Sequence, residues 1–243
     1  MEKKELVVIT GASSGIGKAL AVHFSSKGYN LLLLARRVQL ILDLNLPNAI
    51  CLSLDVRKTK EFIEAIDNGE EKYGPVDCLI NNAGIMNFGE FTDDNLSHSN
   101  KELIDTNILG CINGIEAVLS KMQKRGKGTI LNITSSHDRH PSPCAATYGA
   151  TKAAIKSLTE SLAIESSGKN VRICSIAPSL VDTPIISNLR AKSFDGLKER
   201  KVMVDAEEFA EIVYWIYSLP QHICIKDILI APTNTKIFMG ENE

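Results

Sequence analysis

Short apolar runs separated by longer stretches of helical period recur along this chain, and that alternation constrains its fold more than any other feature. The runs Leu6–Ile9, Asn30–Ala35, Ile50–Leu54, Cys78–Asn81, Thr129–Ile133, Val171–Ile176 and Ile228–Ile230 read as strands. Gly17–Lys27, Thr59–Tyr73, Lys101–Arg125, Tyr148–Glu165 and Ala206–Ser218 read as the helices between them. Strand, helix, strand, helix predicts parallel strands joined by right-handed crossovers. The runs are continuously apolar rather than alternating, as they are when both faces of a sheet are covered. The expectation is therefore a doubly wound α/β fold. A mainly parallel, seven-stranded sheet lies between two layers of helices, in one domain spanning residues 1–243. Between Arg37 and Ile50 the only apolar stretch is Val38–Leu44, followed by Pro47, so the second crossover helix must be brief. Residues 178–204 are polar and aperiodic, and a connection of that length reads as a substrate loop.

Composition narrows the function classes. With 243 residues, 44% hydrophobic and 23% charged, the chain can bury a substantial core without a second domain. Its 27 Lys and Arg against 29 Asp and Glu leave a formal net charge of −2, which gives no basic field for nucleic acid or an anionic membrane. The six cysteines, Cys51, Cys78, Cys111, Cys144, Cys174 and Cys224, form no C-x-x-C pair and are expected as reduced thiols. Met1–Glu5 has no secretory-signal character, and the apolar run Leu31–Ala35 is far too short to span a bilayer. A cytoplasmic protein acting on a small molecule is expected, with neither nucleic acid nor membrane as partner.

The first strand runs directly into Thr10-Gly11-Ala12-Ser13-Ser14-Gly15-Ile16-Gly17 and then a helix. Glycines there permit a tight turn, close approach of a pyrophosphate and close packing of the helix on the sheet. The helix N-terminus offers unpaired N–H groups and a favourable dipole. Gly11, Ser13, Ser14, Gly15, Ile16 and Gly17 are thus candidates for holding a dinucleotide, and the fold becomes Rossmann-type. The second strand ends at Arg36-Arg37, where a carboxylate would suit the ribose hydroxyls of NAD. Two planar guanidinium forks suit a 2′-phosphate instead, so NADP(H) is expected over NAD(H).

Tyr148 and Lys152 stand four apart at the start of a helical segment and hence on one face. A phenol with an ordinary pKa near ~10 is too weak a base at neutral pH. A neighbouring ammonium favours phenolate, which would bring Tyr148 into the range of a usable acid or base. Ser135 follows the fifth strand run, where its hydroxyl could hold a substrate oxygen; Ser136 is its rival. His137, Asp138 and His140 could suggest a metal, but they fit a polar loop at a pocket mouth, and no metal site is expected.

Taken in order, these motifs make the chain resemble the short-chain dehydrogenases/reductases over nearly its whole length. The resemblance rests on Thr10 through Gly17, Asp55, Asn81-Asn82-Ala83-Gly84, Asn107, Ser135, Tyr148-x-x-x-Lys152 and Pro178 through Thr183. It implies hydride transfer between a nicotinamide and a carbonyl or secondary alcohol, with Tyr148 as acid/base and Ser135 holding the oxygen. Lys152 would also bind the nicotinamide ribose, and Asn107 would support a water-linked relay to it. Asp55, with Val56, would receive the adenine, and Asn82, Ala83 and Gly84 would line the adenosine side. Pro178, Val181 and Thr183 would meet the nicotinamide. The family commonly has Gly where Ser179 and Asp138 stand here.

The second half further resembles the NADP-dependent 3-hydroxy acid (serine-type) dehydrogenases through Tyr148–Ala153, Ser187–Arg190 and Leu219–His222. That likeness implies that Arg190 or Arg139 pairs with a substrate carboxylate, and that the chain forms a homo-tetramer or dimer. The alternative from another class is a non-catalytic NADP(H)-binding regulator on the same fold.

Overall fold

The structure, a computed structural model, describes residues 4–93, 96–187 and 202–234. Seven strands form its centre: β1 (Leu6–Thr10), β2 (Asn30–Ala35), β3 (Ala49–Ser53), β4 (Val76–Asn81), β5 (Gly128–Ile133), β6 (Val171–Pro178) and β7 (Asp227–Ile230). They lie in the order β3-β2-β1-β4-β5-β6-β7, and every pairing is parallel. The crossovers are α1 (Gly15–Ser26), α2 (Gln39–Leu42), α3 (Thr59–Tyr73), α4 (Leu96–Ile104), α5 (Gly110–Arg125), α6 (Ala146–Glu165), α7 (Pro184–Ser187) and α8 (Ala206–Ser218). This is the doubly wound Rossmann-type arrangement expected from the alternation. Winding reverses between β1 and β4, which opens a crevice beyond their carboxyl ends.

Successive side chains of each strand feed two cores. Val7, Ile9, Leu31 and Leu33 pack with Leu20 and Phe24 of α1 and Phe209 and Val213 of α8. Leu6, Val8, Leu32 and Leu34 pack on the opposite face with Phe62 of α3, Val118 of α5 and Ile155 of α6. Leu31 through Leu34 are each fully buried, which is why that run carries no polar residue. Burying each such side chain contributes roughly 1.5–3 kcal/mol.

The connections follow local chemistry. The second crossover helix is a single turn, Gln39–Leu42, as the sparse segment before Pro47 requires. α5 ends where Gly126 takes a left-handed φ of 67°, a conformation that costs glycine little. α8 opens with a capping box in which Asp205 and Glu208 satisfy each other's backbone N–H groups. The two ends of the 178–204 segment are joined: Asp182 N–H donates to the Val204 carbonyl and Val204 N–H to the Leu180 carbonyl, both at 2.9 Å.

The expected single helix over 101–125 is corrected. A π-helical turn, Asp105–Leu109, separates α4 from α5. The change lies in the backbone hydrogen bonding of a single turn, which no residue type marks in the sequence. Residues Ser99–Arg125 are long and apolar enough to cross a bilayer, but more than half of their most apolar stretch is buried inside the fold, as in a core helix.

Candidate active site

A cleft of about 600 Å³ opens at the crevice between β1 and β4 and runs from Arg36 and Arg37 to Tyr148 and Lys152. Its floor is the glycine-rich turn. Gly11 and Gly15 have φ of 67° and 53°, and a Cβ on Gly11 would lie 2.9 Å from the Ala83 Cα. The turn is bolted to the end of β4 by Asn82, whose Nδ2 donates to the Thr10 carbonyl at 3.0 Å. Thr10 Oγ1 in turn accepts from the backbone N–H groups of Asn82 and Ala83, each at 3.0 Å. Asn82 therefore shapes the turn as well as lining the cleft. Gly17 serves the close packing expected of the glycines in this turn. It does not line the cleft, and a Cβ there would stand 2.2 Å from the Gly11 carbonyl oxygen.

At the β2 end, Arg37 Nη2 donates to Ser14 Oγ at 3.0 Å and to Ser13 Oγ at 3.4 Å. Arg36 reaches to within 3.8 Å of Glu102 on α4. A carboxylate thus does stand near this end, delivered from a distant helix. Asp55 takes Arg57 Nε between its two oxygens, at 2.9 and 3.0 Å. Those bonds from Arg57 hold the Asp55 carboxyl below the ordinary aspartate range. Val56, Ala83 and Gly84 complete this wall.

At the other end α6 presents Tyr148 and Lys152 one turn apart, as their spacing requires. Lys152 is buried; its Nζ lies 5.8 Å from the Tyr148 ring centroid and donates to the Ile133 carbonyl at 3.0 Å. Burial draws its ammonium down to about 8. The expectation that Lys152 lowers Tyr148 meets a different balance. Burial pushes the phenol above its ordinary 10, Asp138 adds to the rise, and Ser135 is the group that opposes it. That contact favours Ser135 over Ser136, although both line the cleft.

Asn107 sits on the π-helical turn, buried, and not in the cleft wall. Its Oδ1 accepts from Ile85 N–H at 2.9 Å, and its Nδ2 donates to the Ile85 carbonyl at 3.0 Å and to Thr151 Oγ1 at 3.1 Å. It braces the loop after β4 against α6. Gly84 permits this crowding, since a Cβ there would lie 3.3 Å from Asn107 Oδ1 and 3.5 Å from Lys152 Nζ.

Pro178, Val181 and Thr183 line the cleft beside Tyr148 and Lys152. His137, expected in a polar loop at a pocket mouth, lines the cleft, as does Ser179; Thr106 is a cleft residue that sequence reasoning missed. The hydroxyls of Thr106 and Ser179 are buried and have no partner among the described residues. Arg139 is corrected. It does not line the cleft, and its guanidinium is taken up by Asp138 at 2.6 Å and by Asp227 at 2.7 and 2.8 Å. With both sides of its fork engaged, it has no face for a substrate carboxylate. Arg190 lies outside the described residues. Among those residues no group of His, Cys, Asp and Glu is arranged to hold a metal.

Comparison with known proteins agrees with this architecture. Residues 5–193 match the family described as short chain dehydrogenase, and the chain belongs to that family of oxidoreductases. An uncharacterized oxidoreductase of Staphylococcus epidermidis is 32% identical, covering 95% of this chain and 98% of the relative. The NADP-dependent 3-hydroxy acid dehydrogenase YdfG of Shigella flexneri is 30% identical, covering 98% of both. Among solved structures, the closed form of a serine dehydrogenase complexed with NADP+ superposes with a TM-score of 0.88, at 29% identity and 98% coverage of each chain.

Proposed function

We propose that this protein is an NADP(H)-dependent oxidoreductase that interconverts a carbonyl and a secondary alcohol, with Tyr148 as the acid/base. The observation that carries this reading is one cleft joining the Arg36–Arg37 end to the Ser135, Tyr148 and Lys152 cluster. The cleft fits a dinucleotide. Glycines without room for side chains form its floor, the N-terminus of the 12-residue α1 faces it, and guanidinium and hydroxyl donors gather at one end. NADP(H) over NAD(H) is supported by Arg36 and Arg37 and by the NADP named for the relatives. Arg36, Arg37, Ser13 and Ser14 would hold the phosphorylated ribose, Asp55 and Val56 the adenine, and Lys152, Pro178, Val181 and Thr183 the nicotinamide side.

When bound, the cofactor supplies or accepts the hydride at the carbonyl carbon. Ser135 donates to the carbonyl oxygen and Tyr148 gives it a proton. Burial pushes the phenol above its ordinary 10, so Tyr148 carries the proton that this step needs at neutral pH. Lys152, buried and drawn to about 8, is still mostly charged at neutral pH and can restore that proton. Asn107 holds the π-helical turn against the catalytic helix, keeping the relay in register.

A 3-hydroxy acid or its keto form is the substrate class the YdfG likeness favours, with Arg190 as the candidate carboxylate partner. Pairing of subunits through α4–α5 and α6 is supported by the exposed Ile104, Leu109 and Ile164. A cytoplasmic setting belongs to the same reading, on the absence of any C-x-x-C pair among the six cysteines. The reading is tested by following nicotinamide absorbance with a panel of ketones and 3-hydroxy acids, with both cofactors in parallel. Turnover faster with the phosphorylated cofactor is expected. Tight NADPH binding with no turnover would favour a regulator instead.

A further inference from the structure

The turn that carries Ser135 holds a residue the mechanism above does not use. Ser135 caps a 3₁₀ turn, Ser136–Asp138, and its Oγ accepts from the His137 backbone N–H at 3.3 Å. The His137 ring comes back over the same oxygen, with Nδ1 also 3.3 Å from Ser135 Oγ. Its ring meets Tyr148 edge-on, centroids 5.6 Å apart at 70°. His137 lines the cleft and is half-buried. The turn is pinned from behind. Asp138 has a fully buried side chain bound by Arg139, and Arg139 reaches Asp227 of β7 at 2.7 Å. This clamp gives the His137 ring a fixed seat beside the two reacting hydroxyls.

We infer that His137 is a positioning residue for the proposed reaction, donating from Nδ1 to Ser135 Oγ so that the serine's single hydrogen is aimed at the reacting oxygen. The inference rests on the oxidoreductase reading of this cleft. A serine hydroxyl has one proton and two lone pairs. With the backbone N–H and Nδ1–H both directed at Oγ, the remaining hydrogen points to the phenol and to the carbonyl that would sit beside it. The opposite tautomer would draw the serine proton away from both. Ser135 acts on Tyr148 in the sense of a donor, opposing the rise of its pKa, which fits Nδ1–H. Burial keeps His137 below its ordinary 6.5, hence neutral near pH 7, with one ring nitrogen as the donor. A chain of donors, ring to serine to carbonyl oxygen, polarises each bond in it.

The test separates donation from ring packing. Asparagine places an amide N–H near the position of Nδ1, whereas phenylalanine keeps the ring edge against Tyr148 and has no donor. kcat and KM are measured for wild type, His137→Asn, His137→Phe and Tyr148→Phe, using the best carbonyl from the panel, with folding and NADPH binding checked by circular dichroism and cofactor fluorescence. His137→Phe is expected to lose about five- to tenfold in kcat, the worth of one hydrogen bond, with NADPH affinity unchanged. His137→Asn is expected to recover most of that loss. In a Ser135→Ala background the same His137→Phe change should have little further effect, because its target oxygen is gone. If His137→Phe keeps the wild-type kcat while Tyr148→Phe is inactive, this inference fails and the oxidoreductase reading stands. A wild type inert with every carbonyl overturns both.

Discussion

Arg37 stands at the end of β2 with its guanidinium on the hydroxyls of Ser13 and Ser14, so one side chain ties the second strand to the glycine-rich turn. A planar fork in that place pairs with a phosphate dianion far better than with ribose hydroxyls. Arg37→Ala should therefore raise KM for NADPH about ten- to hundredfold and leave KM for NADH nearly unchanged, as read from initial rates with each cofactor. A uniform rise for both would place Arg37 in the turn's architecture alone. That Tyr148, Lys152 and Ser135 gather at one cleft was legible in the sequence, because it follows from a one-turn spacing and a strand end. Arg139 misled because its partner Asp227 lies on the last strand, a pairing no local reading reaches. The approach of Glu102 to Arg36 was hidden for the same reason.

At the level of elements, the strand–turn–helix unit from Leu6 to Ser26 was readable almost whole, since glycine spacing and apolar periodicity both mark it. What the turn demands sterically emerges only from the packing. Gly17 lies against the Gly11 carbonyl so closely that any Cβ would collide with backbone. Gly17→Ala should destabilise the fold by on the order of 1–3 kcal/mol, from overpacking that backbone must absorb. Urea denaturation would read the loss, and weaker NADPH binding should accompany it as the turn opens. A variant as stable as wild type would mean the helix can pivot freely on the sheet. The π-helical turn at Asp105–Leu109 was illegible because no residue type marks the point at which the backbone pairing widens. It matters nonetheless, since it delivers Asn107 to Thr151 and to the loop after β4.

For the whole molecule, the sheet class followed from alternation alone, because parallel strands covered on both faces need unbroken apolar runs and long crossovers. The long-range ties that close the fold were not readable. Glu5, just before β1, accepts from Lys127 Nζ and from Tyr217 Oη, each at 2.6 Å, joining the sheet to α8. Burial raises the Glu5 carboxyl, but the bonds from Lys127 and Tyr217 outweigh it and leave it below its ordinary 4.5. A folded-state pKa held low stabilises the fold above 4.5 and loses that contribution as pH falls through the lower folded value. Glu5→Gln should thus lower stability at pH 7 and flatten its fall on the acid side, measured by denaturation across pH. An unchanged acid limb would assign that fall to other carboxylates. Across the whole molecule, the fold serves the Tyr148-assisted carbonyl reduction with NADPH that we propose for this cleft. The most direct test of that proposal is NADPH consumption by wild type and Tyr148→Phe, side by side at saturating cofactor with the carbonyl panel. Wild type should turn over at least one carbonyl, and the variant should bind NADPH equally well yet lose on the order of 10²-fold or more in rate. A Tyr148→Phe enzyme as fast as wild type, or a wild type that binds NADPH and reduces nothing, would contradict the account.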